Sequence, residues 1–276
     1  MTKSSKDENF PVGKFIRKVH RPIIMAYYKA AREADDVADS SSLSISDKER
    51  RLDILYKDFM SANSGSSAGE LGKLFVSEQL DYRLYAELLE AFRKDIKGFV
   101  PEIWEQLLDY CHYSSAPVGR FILALHNQDP ATYLPAEILC AVLQITNHLQ
   151  DIKSDACFLR RCYIPQEILQ KYQVRVTDFC LNKSSEAVKS LILDLSVRLQ
   201  AMLDDAKILI SLITDRRLRC EVAVIFSLTN SMLKKITKGD VLVNVPYLSG
   251  WDWLKATIYG IGCGIFVRGK PCSRIK

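Results

Sequence analysis

Asn147, Asp151 and Asp155 recur every four residues, with Gln144 three positions ahead of them. On a helix of about 3.6 residues per turn that spacing stacks the side chains in one shallow stripe. A second stripe lies in Arg32-Glu33-Ala34-Asp35-Asp36-Val37-Ala38-Asp39. Asp35 and Asp39 are one turn apart, and Arg32 lies three and four residues before Asp35 and Asp36, near enough to steady either carboxylate. If both stripes face one cavity, each like-charged pair about 6 Å apart costs ~3 kcal/mol at an effective dielectric near 20, so a cation belongs between them. The candidate ligands Asp35, Asp36, Asp39, Asn147, Asp151 and Asp155 offer oxygen only. That donor set favours Mg²⁺, which completes its octahedron with water and substrate phosphate, and so implies a phosphate ester as substrate. Arg160 and Arg161 follow the second stripe, either to grip a diphosphate in a planar fork or simply to complement a helix C-terminus.

These residues need helices to hold them. The second stripe sits within residues 135–165, where Leu139, Val142, Leu143, Ile145, Thr146, Leu149 and Ile152 follow a helical pattern that buries the remaining faces. Pro22 opens the helix of the first stripe, the serines at 40–42 close it, and Tyr28 lies one turn before Arg32 on the carboxylate side. Further helices are expected over 47–60, 80–96, 166–172, 184–213, 215–237 and 251–267, with a soft surface loop at 61–69. Residues 101–127 read as one long apolar helix kinked at Ser114-Ser115-Ala116-Pro117-Val118-Gly119. The small residues there either admit something bulky to the backbone or serve helix packing alone. No stretch alternates as a strand does, so the expectation is an all-α bundle with its site on inward side chains of facing helices. The expected domain is single and spans 1–276, with residues 1–9 frayed and 268–276 a basic tail.

Composition excludes several classes. The chain is 48% hydrophobic over 276 residues, ample for a core, and its net charge of +5 is dispersed among acids, which argues against a nucleic-acid partner. Eight cysteines make no Cys-x-x-Cys pair, and the polar start carries no secretory signal, so they read as reduced, mostly buried thiols of a cytoplasmic protein. No apolar run reaches the roughly 18 residues of a spanning helix. The stretch 256–267, with Trp251 and Trp253 ahead and Arg268 and Lys270 behind, either rests on a membrane or forms a last core helix. There is no Gly-rich dinucleotide loop. No covalent nucleophile or histidine base stands out, and His112 and His148 read as ordinary helix residues.

Taken together, Tyr28-x-x-x-Arg32-x-x-Asp35-Asp36-x-x-Asp39, Gln144-x-x-Asn147-x-x-x-Asp151-x-x-x-Asp155 and Arg161-x-Tyr163-x-Pro165 resemble the squalene and phytoene synthases. Glu8-Asn9-Phe10-Pro11-Val12, the segment from Tyr110 to Arg120, and Gln150 before Asp151 are most similar to the hydroxysqualene synthases of bacterial hopanoid and squalene pathways. The resemblance implies an isoprenoid-synthase-type helical bundle around a central cavity, in which presqualene diphosphate loses diphosphate and the resulting carbocation is trapped by water. Relatives of the same family instead join two farnesyl or geranylgeranyl diphosphates; a non-catalytic binding module on the same fold is the remote alternative. It also implies two or three Mg²⁺ ions, catalytic roles for Asp35, Asp39, Asp151, Asp155, Arg32 and Tyr163, and prenyl diphosphate contacts from Phe10, Tyr28, Arg32, Gln144, Arg161 and Tyr163. The chain departs from the family pattern at Val100-Pro101, at Ser115-Ala116 and at Asn244-Val245. Its spacing from Asp155 to Tyr163 is one residue longer than usual, which leaves Arg160 and Arg161 competing for one role.

Overall fold

The computed structural model describes residues 16–63, 65–267 and 269. Phe10, the expected frayed start, and Arg268 and Lys270 of the basic tail lie outside the described residues. Among those described, every regular element is helical. The first half holds α1 (Arg21–Asp39), α2 (Ile45–Ser61), α3 (Ser67–Ser77), α4 (Arg83–Ile96), α5 (Trp104–Ser114) and α6 (Ala116–Leu125). Then come α7 (Tyr133–Gln150), the short turn α8 (Ile152–Ser154), α9 (Gln166–Lys171), α10 (Glu186–Ala206), α11 (Leu209–Leu212), α12 (Arg216–Lys238) and α13 (Gly250–Phe266).

Two cores flank the functional helices. Ile23, Tyr27, Ala30, Ala34 and Ala38 recur at helical spacing on α1 and pack against Leu52, Phe59, Leu71, Phe75 and Leu88, with Phe121 arriving from α6. The Tyr27 ring stacks on Phe121 at 4.3 Å, and its hydroxyl donates to the Leu84 carbonyl at 2.8 Å, so this buried ring leaves no polar atom unpaired. With one face of α1 committed to that core, Arg32, Asp35, Asp36 and Asp39 are turned to the other. The second core joins α7, α10 and α12 through Val142, Ile145, Leu149, Leu191, Leu195, Met232 and Leu233. Serine and aspartate caps start several of these helices; Ser249 and Asp252 form a reciprocal capping box at α13.

The expected long helix over 101–127 is two, α5 and α6, parted at Ser115. A Cβ on Gly119 would stand 2.6 Å from Cys140 Sγ, so what approaches the backbone there is α7, and the small residue serves helix packing. The kink also reaches the site, because Ser114 Oγ donates to Gln144 Oε1 at 2.7 Å.

The helix of the second stripe is likewise broken. α7 stops at Gln150, Asp151 caps it with φ −93° and ψ 6°, and after α8 the residues Asp155–Leu159 wind as a π-helix that ends on Arg160 in the left-handed region at φ 53°. This wider turn absorbs the extra residue of the spacing. It also brings Cys157 to Cys180, whose Cα atoms lie 5.6 Å apart and whose sulfurs are joined in a disulfide. The expectation of reduced thiols is therefore corrected for this pair, which lies 23 residues apart and meets only through the packing of the π-turn on residues 176–180. Cys111, Cys140, Cys162, Cys220 and Cys263 are free.

The last helix has two unlike faces. Ala256, Gly260, Cys263 and Gly264 bury against α12, where a Cβ on Gly260 would meet the Cys220 carbonyl at 2.8 Å. Trp251, Leu254, Ile258, Ile261 and Ile265 form an exposed apolar row. No helix among the described residues is long and apolar enough to cross a membrane.

Candidate active site

The first acidic row keeps an unbroken α-helical backbone. Arg32 reaches Asp35 at 3.2 Å and Asp36 at 3.3 Å, the two contacts its spacing predicts. The side chains of Asp35, Asp36 and Asp39 remain 35%, 52% and 44% exposed, so this row lines a rim open to solvent and not a closed chamber. Asp36 and Arg32 face a groove of about 950 Å³ together with Tyr28, Lys29 and Arg51. Asp35 is the most perturbed: partial burial, reinforced by the charge of Asp39, pushes its carboxyl up to about 6.

The second row is more deeply placed. Its four-residue period survives the break because the Asp151 N–H donates to the Asn147 carbonyl at 2.9 Å and the Asp155 N–H to the Asp151 carbonyl at 2.8 Å. The Asp155 side chain is only 16% exposed. Asn147 Oδ1 is buried with no hydrogen-bond partner among the described residues. Gln144, one turn earlier, is held by Ser114.

Arg161 joins the two rows. Its guanidinium donates to Asp39 Oδ1 at 2.7 Å, while its backbone N–H donates to the Asp155 carbonyl at 3.0 Å. Arg160, in its left-handed turn, is exposed, and of the two arginines it is Arg161 that pairs with the first row. Tyr163 stacks between His148 at 4.0 Å and Tyr110 at 5.5 Å, and its hydroxyl lies 3.4 Å from Asp95 Oδ1. Tyr110 donates to Asp95 Oδ2 at 2.9 Å.

Asp95 was not among the residues marked by sequence. Burial pushes its carboxyl above the ordinary range, against the hydrogen bond from Tyr110 and the charge of Arg161, which pull it down. One local signal was present: Asp95 ends α4 beside Arg93 and Lys94, in a last turn where the helix dipole favours cations and opposes an acid. An acid in that position needs outside partners, and the two tyrosines and Arg161 supply them.

The donors suit a hard divalent cation shared with substrate, and not a cage preformed by protein. Among the described residues no group of three or more His, Cys, Asp and Glu is gathered for a metal. Instead the oxygens are divided between the rows, and the Arg161 guanidinium supplies the positive charge that faces Asp39. The buried unpaired Asn147 Oδ1 and the crowded Asp35 are what a cation would relieve, and an ion of the Mg²⁺ kind leaves coordination positions for water and phosphate.

Comparison with known proteins fits this arrangement. The squalene/phytoene synthase family profile matches residues 3–252. A hydroxysqualene synthase of Zymomonas mobilis is 38% identical over 87% of the chain and 82% of its own length. One from Rhodopseudomonas palustris is 36% identical over 92% and 88%. The crystal structure of squalene synthase HpnC from Alicyclobacillus acidocaldarius superposes with a TM-score of 0.73 at 27% identity, covering 81% of the chain and 85% of that structure.

Proposed function

The chain belongs to the squalene/phytoene synthase family of prenyl diphosphate-processing enzymes, and from that premise we propose that it converts presqualene diphosphate and water to hydroxysqualene with release of diphosphate. The observation that supports this reading is Arg161, whose guanidinium reaches Asp39 of the first row while its backbone N–H donates to the Asp155 carbonyl of the second. Asp35, Asp36, Asp39, Asn147, Asp151 and Asp155 would hold two or three Mg²⁺ ions. Bound there, the metal supplies charge neutralisation for the departing diphosphate.

The chain's own residues supply the rest. Arg161, freed from Asp39 by a competing anion, turns its guanidinium fork to diphosphate oxygens, with Arg32 beside the first row. The Tyr163 ring, its faces covered by His148 and Tyr110, is fixed in place with its hydroxyl toward Asp95. Tyr28 and Gln144 border the two rows from the groove side and the kink side respectively. The exposed row on α13 would rest on an anionic lipid surface, since no acid follows Asp252 in the sequence whereas Lys255, Arg268, Lys270, Arg274 and Lys276 do.

The deciding experiment is product identification by mass spectrometry after incubation with Mg²⁺ and presqualene diphosphate, and separately with farnesyl diphosphate. Hydroxysqualene from the first and no product from the second is expected. Formation of presqualene diphosphate or phytoene-type products from simple prenyl diphosphates would overturn the assignment in favour of a condensing enzyme.

A further inference from the structure

The Cys157–Cys180 disulfide lies outside the diphosphate-binding machinery, yet it closes on the stretch of chain that joins the two acidic rows. Asp155 opens the π-turn, Cys157 sits at its middle, and Arg161 comes two residues after its end with its guanidinium on Asp39. Packing holds this turn only weakly. Of its five residues Ala156 alone is buried, while Phe158 and Leu159 stand 82% and 55% exposed. A π-turn is an uncommon winding, and a return to regular helix would turn the residues after it by about 100°, the step of one residue on an α-helix. That rotation carries Arg161 away from Asp39.

Cys180 closes the bond from a firm base. Phe179 beside it is fully buried, and Asp178 caps residues 176–180 by accepting from the Arg175 N–H at 2.9 Å. Cys180 itself is exposed, so its sulfur is open to thiol–disulfide exchange, whereas Cys157 is half-buried.

We propose that this disulfide is a redox-sensitive latch on the π-turn: closed, it keeps Arg161 at the first row and Asp155 in the second; opened by a dithiol reductant, it lets the turn relax and weakens the hold on diphosphate. In the opening step the sulfur–sulfur bond breaks and each cysteine sulfur gains one hydrogen. The reductant gives up those two hydrogens, with two electrons, and closes to its own disulfide. The latch rests on the reading that both rows meet a diphosphate, and not on which product forms.

The test uses the full chain, oxidised with oxidised glutathione or reduced with dithiothreitol, beside Cys180→Ser under both conditions. Two quantities are measured: the rate of chymotryptic cleavage after Phe158, read by mass spectrometry with every sample reduced after quenching, and the Kd for inorganic diphosphate with Mg²⁺, read by calorimetry. Reduction of the wild type should speed cleavage at least fivefold and raise Kd about tenfold, the scale of one lost bidentate contact. Cys180→Ser should show the reduced values in both conditions, which separates this pair from the five free cysteines. If that variant fails to fold, the two forms of the wild type still give the contrast. Equal cleavage rates for oxidised and reduced wild type, or no Cys157–Cys180 linked peptide from the oxidised protein, overturn the latch while leaving the diphosphate reading intact. Faster cleavage with an unchanged Kd overturns its coupling to the site. Absence of diphosphate binding by the oxidised wild type removes the parent reading, and that coupling with it.

Discussion

The two acidic rows share a period of four residues, yet the protein builds them differently. The first lies on the uninterrupted α1, open to solvent, with Arg32 of the same helix balancing Asp35 and Asp36. The second begins on α7, crosses a helix end at Asp151 and finishes in a π-turn, with Asp155 largely buried and Asn147 Oδ1 unpaired. Asp35 and Asp36 thus meet a cation of their own helix, whereas Asp39 draws on the distant Arg161 and the second row leaves Asn147 Oδ1 unmet. In a low-dielectric setting an unmet polar group counts for more, so function should be more sensitive to the second row than to the outer residues of the first.

Substitutions can break this contrast. The largest expected effect is from Asp155→Asn, which should lower the rate of Mg²⁺-dependent diphosphate release by roughly 100-fold or more, the scale of losing one transition-state charge contact. Asp36→Asn, at the exposed end of the first row, should cost only a few-fold in the same assay. Comparable losses at the two positions would show that the difference in burial carries no functional weight. Arg161→Lys comes next: it keeps the charge but loses the fork that reaches Asp39, and KM for the diphosphate should rise about tenfold, in keeping with one lost bidentate contact. An unchanged KM would mean that Arg161 is a structural strut.

A stability measurement sharpens the contrast from the packing side. Gly119→Leu forces atoms against Cys140 at the kink that carries Ser114 to Gln144, and overpacking of this kind costs about 1–3 kcal/mol. The midpoint in urea should drop accordingly, whereas Gly250→Ala, where an added Cβ meets nothing within 4 Å, should leave it nearly unchanged. The smallest effect is pH-dependent. The folded carboxyl of Asp95 lies above its unfolded value near 4, so the folded state holds the proton more tightly. As pH rises through that unfolded value toward the raised folded one, the wild type should lose stability relative to Asp95→Asn, and it should gain none of it back at higher pH. Parallel stability curves for the two proteins would contradict a buried, desolvated Asp95.

The all-α class, the two acidic rows, the kink at Ser115 and the family were legible along the chain, because helical periodicity and side-chain spacing are local properties. The sequence placed α1 and α7 and anticipated the contacts of Arg32, which lie within one turn of that residue. Pairing Arg161 with Asp39, pairing Cys157 with Cys180, bringing Asp95 under Tyr110 and Tyr163, and setting the first row at a rim were left to the tertiary structure. Each of these turns on the direction of a side chain after a break in regular backbone, or on a partner many residues away. A single π-turn after Asp155 rotates everything that follows it, and no spacing rule written for a 3.6-residue helix survives that turn.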